Sequence, residues 1–465
     1  LDISKAVLSR VALLGSGPNT FSHDWLIYKP ANVNATPFWS VAFPFGVGFV
    51  PTQIASTGIL GTALWLAFFI FLIILGIKAL SRLPESRAER FTVLSSLLGT
   101  FFLWAASFLY APSATVLALA FVFSGLFIAA ISQAGIIPIR TIDLKKAPQN
   151  RFATVSALVV LVASVAALGW VGYGKTLAAY HFKKAIDLSN TPNTPLSAVG
   201  NELISAVDAA PADIHYVALS RLHFSIAQAA ASATTSPEQN REVFQESISR
   251  SIEAARLAVS TNPAGYQNWV VLGTVYSSLV PKPLEVEGAY ENARFAYNEA
   301  LKRNPNNPEL YLSLAQLELN KGDADTARSL IRSSIALKED YANAYLMLAE
   351  LELAAGNTAE AIASAENLAI LVPNNPGLHF ELGLLKYGSG NFSGAEKDLN
   401  QALILSPEYA NARYYLGLTL AELGRFSEAE AELGALLQTN PDNVELESAL
   451  SAVRQGKKPV LQTSN

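Results

Sequence analysis

The chain of 465 residues contains no cysteine and a single methionine, Met347. The absence of cysteine excludes a disulfide framework and any metal site built from thiolates. Charged residues make up only 15% of the chain, and no signal peptide with a basic start and a small-residue cleavage site is visible. Because the chain begins with Leu1, we expect the natural start to lie upstream and this sequence to be the C-terminal piece of a longer protein.

The hydrophobic residues are too many for an ordinary soluble protein and too few for a pure bundle of membrane helices. They make up 51% of the chain, and the mean hydropathy is +0.28. The charge is also divided unevenly: residues 1–172 carry 11 basic and 5 acidic side chains, and the remainder carries 22 and 33. This division predicts two parts that lie in different solvents.

Long uncharged runs lie in the first part of the chain. Residues 91–139 contain no Asp, Glu, Lys, Arg or His, which is enough for two membrane crossings at roughly 20 residues each. Pro112 separates the two crossings. The runs are apolar on every side, as lipid-facing helices are. We therefore predict four transmembrane helices, at about 57–78, 92–110, 114–132 and 152–173.

The loops between these spans predict their orientation. Residues 78–90 and 140–151 each contain four basic side chains, and the connection at 110–114 contains none. By the positive-inside rule both basic loops are cytoplasmic. Tyr110 and Trp170 then lie at the outer interface, where amphipathic aromatic residues collect. We therefore expect the first 56 residues, and everything after about residue 174, to lie outside the cytoplasm.

The second part of the chain repeats every 34 residues. The grid is occupied by Pro305, Glu339, Pro373, Pro407 and Pro441, and Pro263 precedes it across an insertion at 281–288. A period of 34 residues is typical of tetratricopeptide repeats, each of which is a pair of helices. The family's conserved positions are filled in the first repeat by Trp269, Leu272, Gly273, Tyr276, Ala293, Ala300 and Pro305. Small residues let the paired helices approach closely, and the proline ends the second helix.

These observations predict an all-α protein, with a polytopic transmembrane helix bundle followed by a tetratricopeptide α-solenoid. The predicted parts are an extracytoplasmic or interfacial loop segment (1–56), transmembrane helices (57–173), a connecting helix and an irregular helical pair (174–262), the repeats (263–442), and a capping helix with a tail (443–465). The four spans exclude a soluble tetratricopeptide co-chaperone.

The first helices of such repeats line a concave surface. The residues predicted to face it are Phe380, Leu384, Tyr387, Asn411 and Tyr414. They suit a groove that binds a peptide or a glycan through aromatic and amide contacts. The alternative interpretation is an ordinary helix face that is packed and solvated. A protein or peptide partner is expected, and a nucleic acid is not.

Two glycine-containing stretches stand before the first span. "LLGSGPNTF" (13–21) lacks the lysine and the spacing of a phosphate-binding P-loop. Together with "STGILG" (56–61), which leads directly into a span, it resembles the O-antigen ligase and polymerase family of bacterial membrane glycosyltransferases. The resemblance covers roughly residues 1–132 and depends on Gly15, Gly17, Pro18, Phe21, Gly58 and Gly61.

The resemblance implies a multi-pass protein of the inner (cytoplasmic) membrane that acts outside the cytoplasm. Its substrate would be a glycan carried on undecaprenyl diphosphate, transferred without a metal, nucleotide sugar or other cofactor. The family commonly has a histidine ten to twelve residues before the "GilG" turn, but residues 46–53 contain no histidine and no charge. This departure leaves open a second function, a non-catalytic membrane-anchored scaffold whose repeats bind proteins.

Five residues of the predicted extracytoplasmic segment at 1–56, which we call the outer segment, are candidates for the chemistry that the resemblance implies. His23 is predicted as the base for the acceptor hydroxyl, and Arg10 as a catalytic cation that stabilises the departing diphosphate. Lys29, Tyr28 and Asp24 are predicted to bind the substrate. The alternatives are a solvated loop histidine at 23, and basic residues that anchor the segment to anionic lipid head groups. No spacing in the chain suggests a metal site.

Overall fold

The computed structural model describes residues 2–110, 112–138, 148–233 and 236–459. Most of the predicted basic loop at 140–151 and the end of the predicted tail, 460–465, lie outside the described residues. The chain divides into two compact units, Leu1–Asn306 and Asn307–Asn465.

The first unit begins with two short helices and four long ones. Their bounds are α1 Asp2–Leu8, α2 Phe21–Tyr28, α3 Phe49–Ser81, α4 Arg87–Leu109, α5 Ala114–Gln133 and α6 Pro148–Ser189. Among the described residues, four helices are long and apolar enough to cross a membrane: α3, α4, α5 and the part of α6 from Phe152 onward. Helix α3 begins at Phe49, before the predicted span. Helix α6 continues without a break past residue 173, so the predicted connecting helix is the end of the same helix.

Helices α3, α4 and α5 pack together through aromatic side chains. Trp104 lies at the centre, with ring centroids 5.7 Å from Trp65, 5.0 Å from Phe69 and 5.3 Å from Phe121. Its indole N–H donates a hydrogen bond to Ser124 Oγ at 3.1 Å, which gives this polar group a partner in apolar surroundings. The apolar part of α6 is not buried at all in the described structure. In the described part of the chain the packed bundle therefore comprises three of the four predicted helices, and the apolar part of α6 is exposed.

The rest of the first unit is helical. It contains α7 Leu196–Ala209, α8 Asp213–Ser232, α9 Pro237–Thr261, α10 Tyr266–Ser277 and α11 Ala289–Arg303. Helix α7 packs on the end of α6, α8 pairs with α9, and α10 pairs with α11.

Among the described residues, the second unit contains four pairs of helices in the predicted 34-residue period, followed by a single helix at the predicted capping position. Its helices are α12 Pro308–Lys321, α13 Ala324–Leu337, α14 Ala342–Ala354, α15 Thr358–Leu371, α16 Pro376–Gly388, α17 Phe392–Leu405, α18 Ala410–Glu422, α19 Phe426–Thr439 and α20 Val444–Arg454. Asn375 caps α16 by accepting a hydrogen bond from the backbone N–H of Leu378. Close packing of the paired helices explains why small residues recur in each repeat. At Gly417, for example, an added Cβ would lie 2.7 Å from the side chain of Leu433 on the paired helix.

Candidate functional site

The two glycine-containing stretches contact each other. Gly58 interrupts α3 with φ +63° and ψ −163°, a conformation essentially restricted to glycine. In a continuous helix the N–H groups of Ile59 and Leu60 would donate to the carbonyls of Ala55 and Ser56. Residues 12–17 instead form hydrogen bonds with all four of these backbone groups. The bonds are Ser16 N to Ala55 O (3.0 Å), Gly17 N to Ser56 O (3.0 Å), Ile59 N to Ala12 O (2.9 Å) and Leu60 N to Leu13 O (3.1 Å).

Glycine at position 15 permits this close approach. Gly15 has φ +68°, and a Cβ there would lie 2.4 Å from the carbonyl oxygen of Ala55. A Cβ on Gly58 would lie 2.4 Å from the backbone nitrogen of Gly15. The residues that carry the sequence resemblance therefore form one packed element at the beginning of the first long apolar helix.

A small polar cluster lies beside this element. Ser16 Oγ donates to Asp24 Oδ2 at 2.5 Å and lies 2.6 Å from Thr20 Oγ1. Asp24 is buried, and burial raises the pKa of its carboxyl group. The geometry gives Asp24 a structural hydrogen bond at the start of α2.

His23, the neighbour of Asp24, faces the first repeat. Its half-buried ring makes a hydrogen bond with the backbone of Ala264, between α9 and α10. The positive charge of Arg303 is close enough to disfavour protonation of the ring. The other ring nitrogen, Nδ1, is buried and has no partner among the described residues. Burial lowers the pKa of His23, which favours the neutral ring.

Two asparagines complete this contact. Asn34 Nδ2 donates to the carbonyl of Asn306 at 2.8 Å, and Asn306 Nδ2 donates to the carbonyl of Lys29 at 3.1 Å. Together with His23, Ala264 and Arg303, these residues form what we call the loop–repeat joint. Its contacts hold the outer segment against helices α10 and α11 within the first unit.

The remaining predicted residues of the outer segment lie apart. Lys29 is almost fully buried, and its ammonium donates to the carbonyl of Trp39 at 2.5 Å; burial lowers the pKa of this group. Arg10 is exposed, and its guanidinium lies 5.4 Å from the centroid of the Tyr28 ring. Arg10 is therefore accessible to a ligand in this structure, and the ammonium of Lys29 is not.

The loop–repeat joint should weaken as the pH falls below about 6.5, the ordinary pKa of histidine. The pKa of His23 is lowered in the docked state. As the pH falls below about 6.5, the undocked state therefore binds a proton before the docked state does, and the free energy that favours docking decreases. The melting temperature of the first unit, measured at several pH values on either side of about 6.5, reports this loss. The H23Q variant is the control, because it keeps Asp24 and Arg303. The difference between the pH profile of the unaltered chain and that of H23Q is therefore due to His23. Identical profiles for the two chains would contradict the prediction.

On the repeats, the predicted concave residues have different surroundings. Phe380, Tyr387 and Tyr414 are half-buried, and each of their rings contacts Tyr415; Phe380 also contacts Tyr409. The Tyr414 hydroxyl donates to Glu445 Oε1 at 3.2 Å, and burial together with this carboxylate raises the pKa of Tyr414.

Leu384 and Asn411 lie outside this aromatic cluster. Leu384 lines a groove of about 680 Å³ between α14, α15 and α16. Asn411 is exposed at the start of α18. The structure therefore does not bring the five predicted concave residues together on one open surface.

Comparison with known proteins identifies the repeats. Two family models, both described as tetratricopeptide repeat, match residues 380–444 and 296–329. These matches confirm the predicted repeats and lie outside the part that resembles the O-antigen ligases, for which they give no support. No curated protein matches the chain.

Several solved structures are similar to parts of this chain. A tetratricopeptide repeat protein from Parabacteroides merdae has 18% identity over 60% of this chain and 99% of its own, with a TM-score of 0.35. The MamA protein has 22% identity over 36% of this chain and 92% of its own, with a TM-score of 0.30. A thermophilic repeat protein from Thermus thermophilus has 25% identity over 41% and 100%, with a TM-score of 0.24.

Proposed function

We propose that this chain is a membrane-anchored tetratricopeptide protein whose repeats bind a protein partner outside the cytoplasm. The observation that carries the binding function is the open apolar groove between α14 and α16, which is lined by exposed and half-buried leucines. Apolar grooves of this kind accept the apolar face of a peptide or helix. The four long apolar helices supply the anchor.

Two features together support the extracytoplasmic location. The basic residues of the 78–90 loop favour a cytoplasmic position for that loop, which puts the beginning of α3 on the opposite face of the membrane. The loop–repeat joint then requires the first repeat to lie on the same face as the outer segment. We therefore propose a multi-pass protein of the cytoplasmic membrane with its repeats outside.

Photo-crosslinking from single positions tests the binding function. A benzoylphenylalanine at Leu353, in the groove, should yield a discrete protein adduct in cells, because this side chain is half exposed beside the apolar floor. The same group at Ile404, an exposed residue outside the groove, is the matched control. Equal adducts from both positions, or none from Leu353, would remove the groove as the binding site.

Glycan transfer of the O-antigen ligase type is the second candidate function. It is favoured by the packing of the two glycine-containing stretches into one element. Its substrate would be a glycan carried on undecaprenyl diphosphate, and the exposed Arg10 is the residue best placed to bind the diphosphate. Deletion of the gene should then remove long-chain surface glycan, and R10A should fail to restore it. Unchanged glycan after deletion would eliminate this function.

A further inference from the structure

The groove in the second unit has an apolar floor and two carboxylates at its edges. Leu346 and Leu353 of α14 are 42% and 50% exposed, although most leucines of the repeats are buried. Glu350 of α14 and Glu381 of α16 are both exposed and line the same groove. Each of the two flanking helices therefore contributes one negative charge.

No positive charge in the groove balances these carboxylates. The fourteen lining residues include no Lys, Arg or His. Neither Glu350 nor Glu381 makes an ion pair within the described part of the chain. The lysine of α16, Lys386, is buried, and it pairs with Asp398 at 2.8 Å and with Glu366 at 2.7 Å. The two groove carboxylates are thus free to meet charges brought by a ligand.

We propose that this groove binds an amphipathic segment of a partner protein in which apolar side chains are flanked by Lys or Arg. The inference rests on the proposed function and specifies the chemistry of the partner. Leucine-type side chains of the segment bury the exposed leucines of α14. The cationic side chains lie against Glu350 and Glu381, and an acidic segment is rejected because like charges repel across the interface.

The lining also favours a peptide over a glycan. Apart from the two glutamates, its only polar side chains are those of Thr358 and Ser389. It contains no aromatic ring on which a sugar face stacks and no amide side chain to pair with hydroxyl groups. The aromatic residues predicted to contact a sugar are not among the lining residues and pack instead against buried residues of α17 to α20.

A peptide selection tests the proposal on the full chain held in lipid nanodiscs. A library of random 16-residue peptides displayed on phage is selected on the unaltered chain and depleted on Leu353→Asp, so that only groove-dependent peptides remain. These peptides should be enriched several-fold in Lys and Arg beside apolar residues. The double variant E350K/E381K should bind them about tenfold more weakly or worse, and should itself select Asp and Glu.

A second double variant, E360K/E447K, reverses two exposed carboxylates outside the groove and should leave binding unchanged. All of these substitutions are at exposed positions, and far-UV circular dichroism verifies that the helices remain folded. Groove-dependent peptides without basic enrichment would overturn the inference and leave the proposed function standing. If no peptide depends on Leu353, both are overturned.

Discussion

Gly58→Ala should lower the stability of the first unit by about 2–6 kcal/mol. A non-glycine residue in this backbone conformation costs about 1–3 kcal/mol, and the added methyl group costs about 1–3 kcal/mol more by overpacking. The added Cβ would lie 2.4 Å from the backbone nitrogen of Gly15 and 2.6 Å from the carbonyl oxygen of Leu13. These are backbone atoms, so no side chain can rotate away. The hydrogen bonds between residues 12–17 and 55–60 should therefore break.

The apparent melting temperature in detergent micelles, followed by tryptophan fluorescence, measures this effect. Gly125→Ala is the matched control, because Gly125 lies within α5 and a Cβ there meets nothing within 4 Å. The control should be neutral or more stable by up to about 1 kcal/mol. Equal melting temperatures for the two variants would show that the Gly58 kink is not required for the packing of the outer segment.

Lys386→Ala should strongly destabilise the second unit. Its ammonium is buried and pairs with Asp398, which is 7% exposed. Removing one partner of a buried ion pair costs about 3–5 kcal/mol, because the other charge remains buried. His379 Nδ1, 3.9 Å from Asp398 Oδ1, does not replace the ammonium contact at 2.8 Å. Hydrogen exchange in α16 and α17 should rise accordingly, since it reports opening of these helices directly.

Two comparisons identify the cause. Lys397→Ala removes a lysine from the exposed side of α17 and should change hydrogen exchange little. The double variant K386M/D398L removes both buried charges and should recover most of the stability, because apolar side chains of similar size replace the pair. A Lys386→Ala chain that exchanges like Lys397→Ala would contradict the role of the buried pair.

The repeats could be predicted from the sequence because their period reflects local packing. The buried charges could not be predicted in the same way. Glu318, Glu352 and Lys386 occupy the position that Tyr276 fills in the first repeat, and all three are buried. Glu352 bonds to Arg328 of the preceding helix at 2.6 Å. The sequence did show a charged residue at a position that is usually apolar, which could have indicated a buried ion pair. The partner of that residue lies on another helix, however, and only the folded structure shows which residue the partner is.

The outer segment shows a different limit. Sequence reasoning grouped Arg10, His23 and Lys29 by their chemistry and their nearness along the chain. The structure instead bonds Lys29 to a carbonyl and turns His23 toward the first repeat. The asparagine contact of the loop–repeat joint spans 272 positions, and no sequence period records a contact between single side chains so far apart. The pairing of residues 12–17 with 55–60 likewise involves three glycines with positive φ, Gly15, Gly17 and Gly58.

Labelling of single cysteines tests directly whether the outer segment and the repeats lie on the same outer face of the membrane. The chain has no cysteine of its own, so Asn32→Cys, Lys397→Cys and Glu85→Cys each introduce one thiol at an exposed position of the outer segment, the repeats and the basic loop. In intact spheroplasts a membrane-impermeant maleimide should label the first two, and should label the third only after permeabilisation. Labelling of only one of Asn32→Cys and Lys397→Cys, or of Glu85→Cys before permeabilisation, would contradict the shared outer placement.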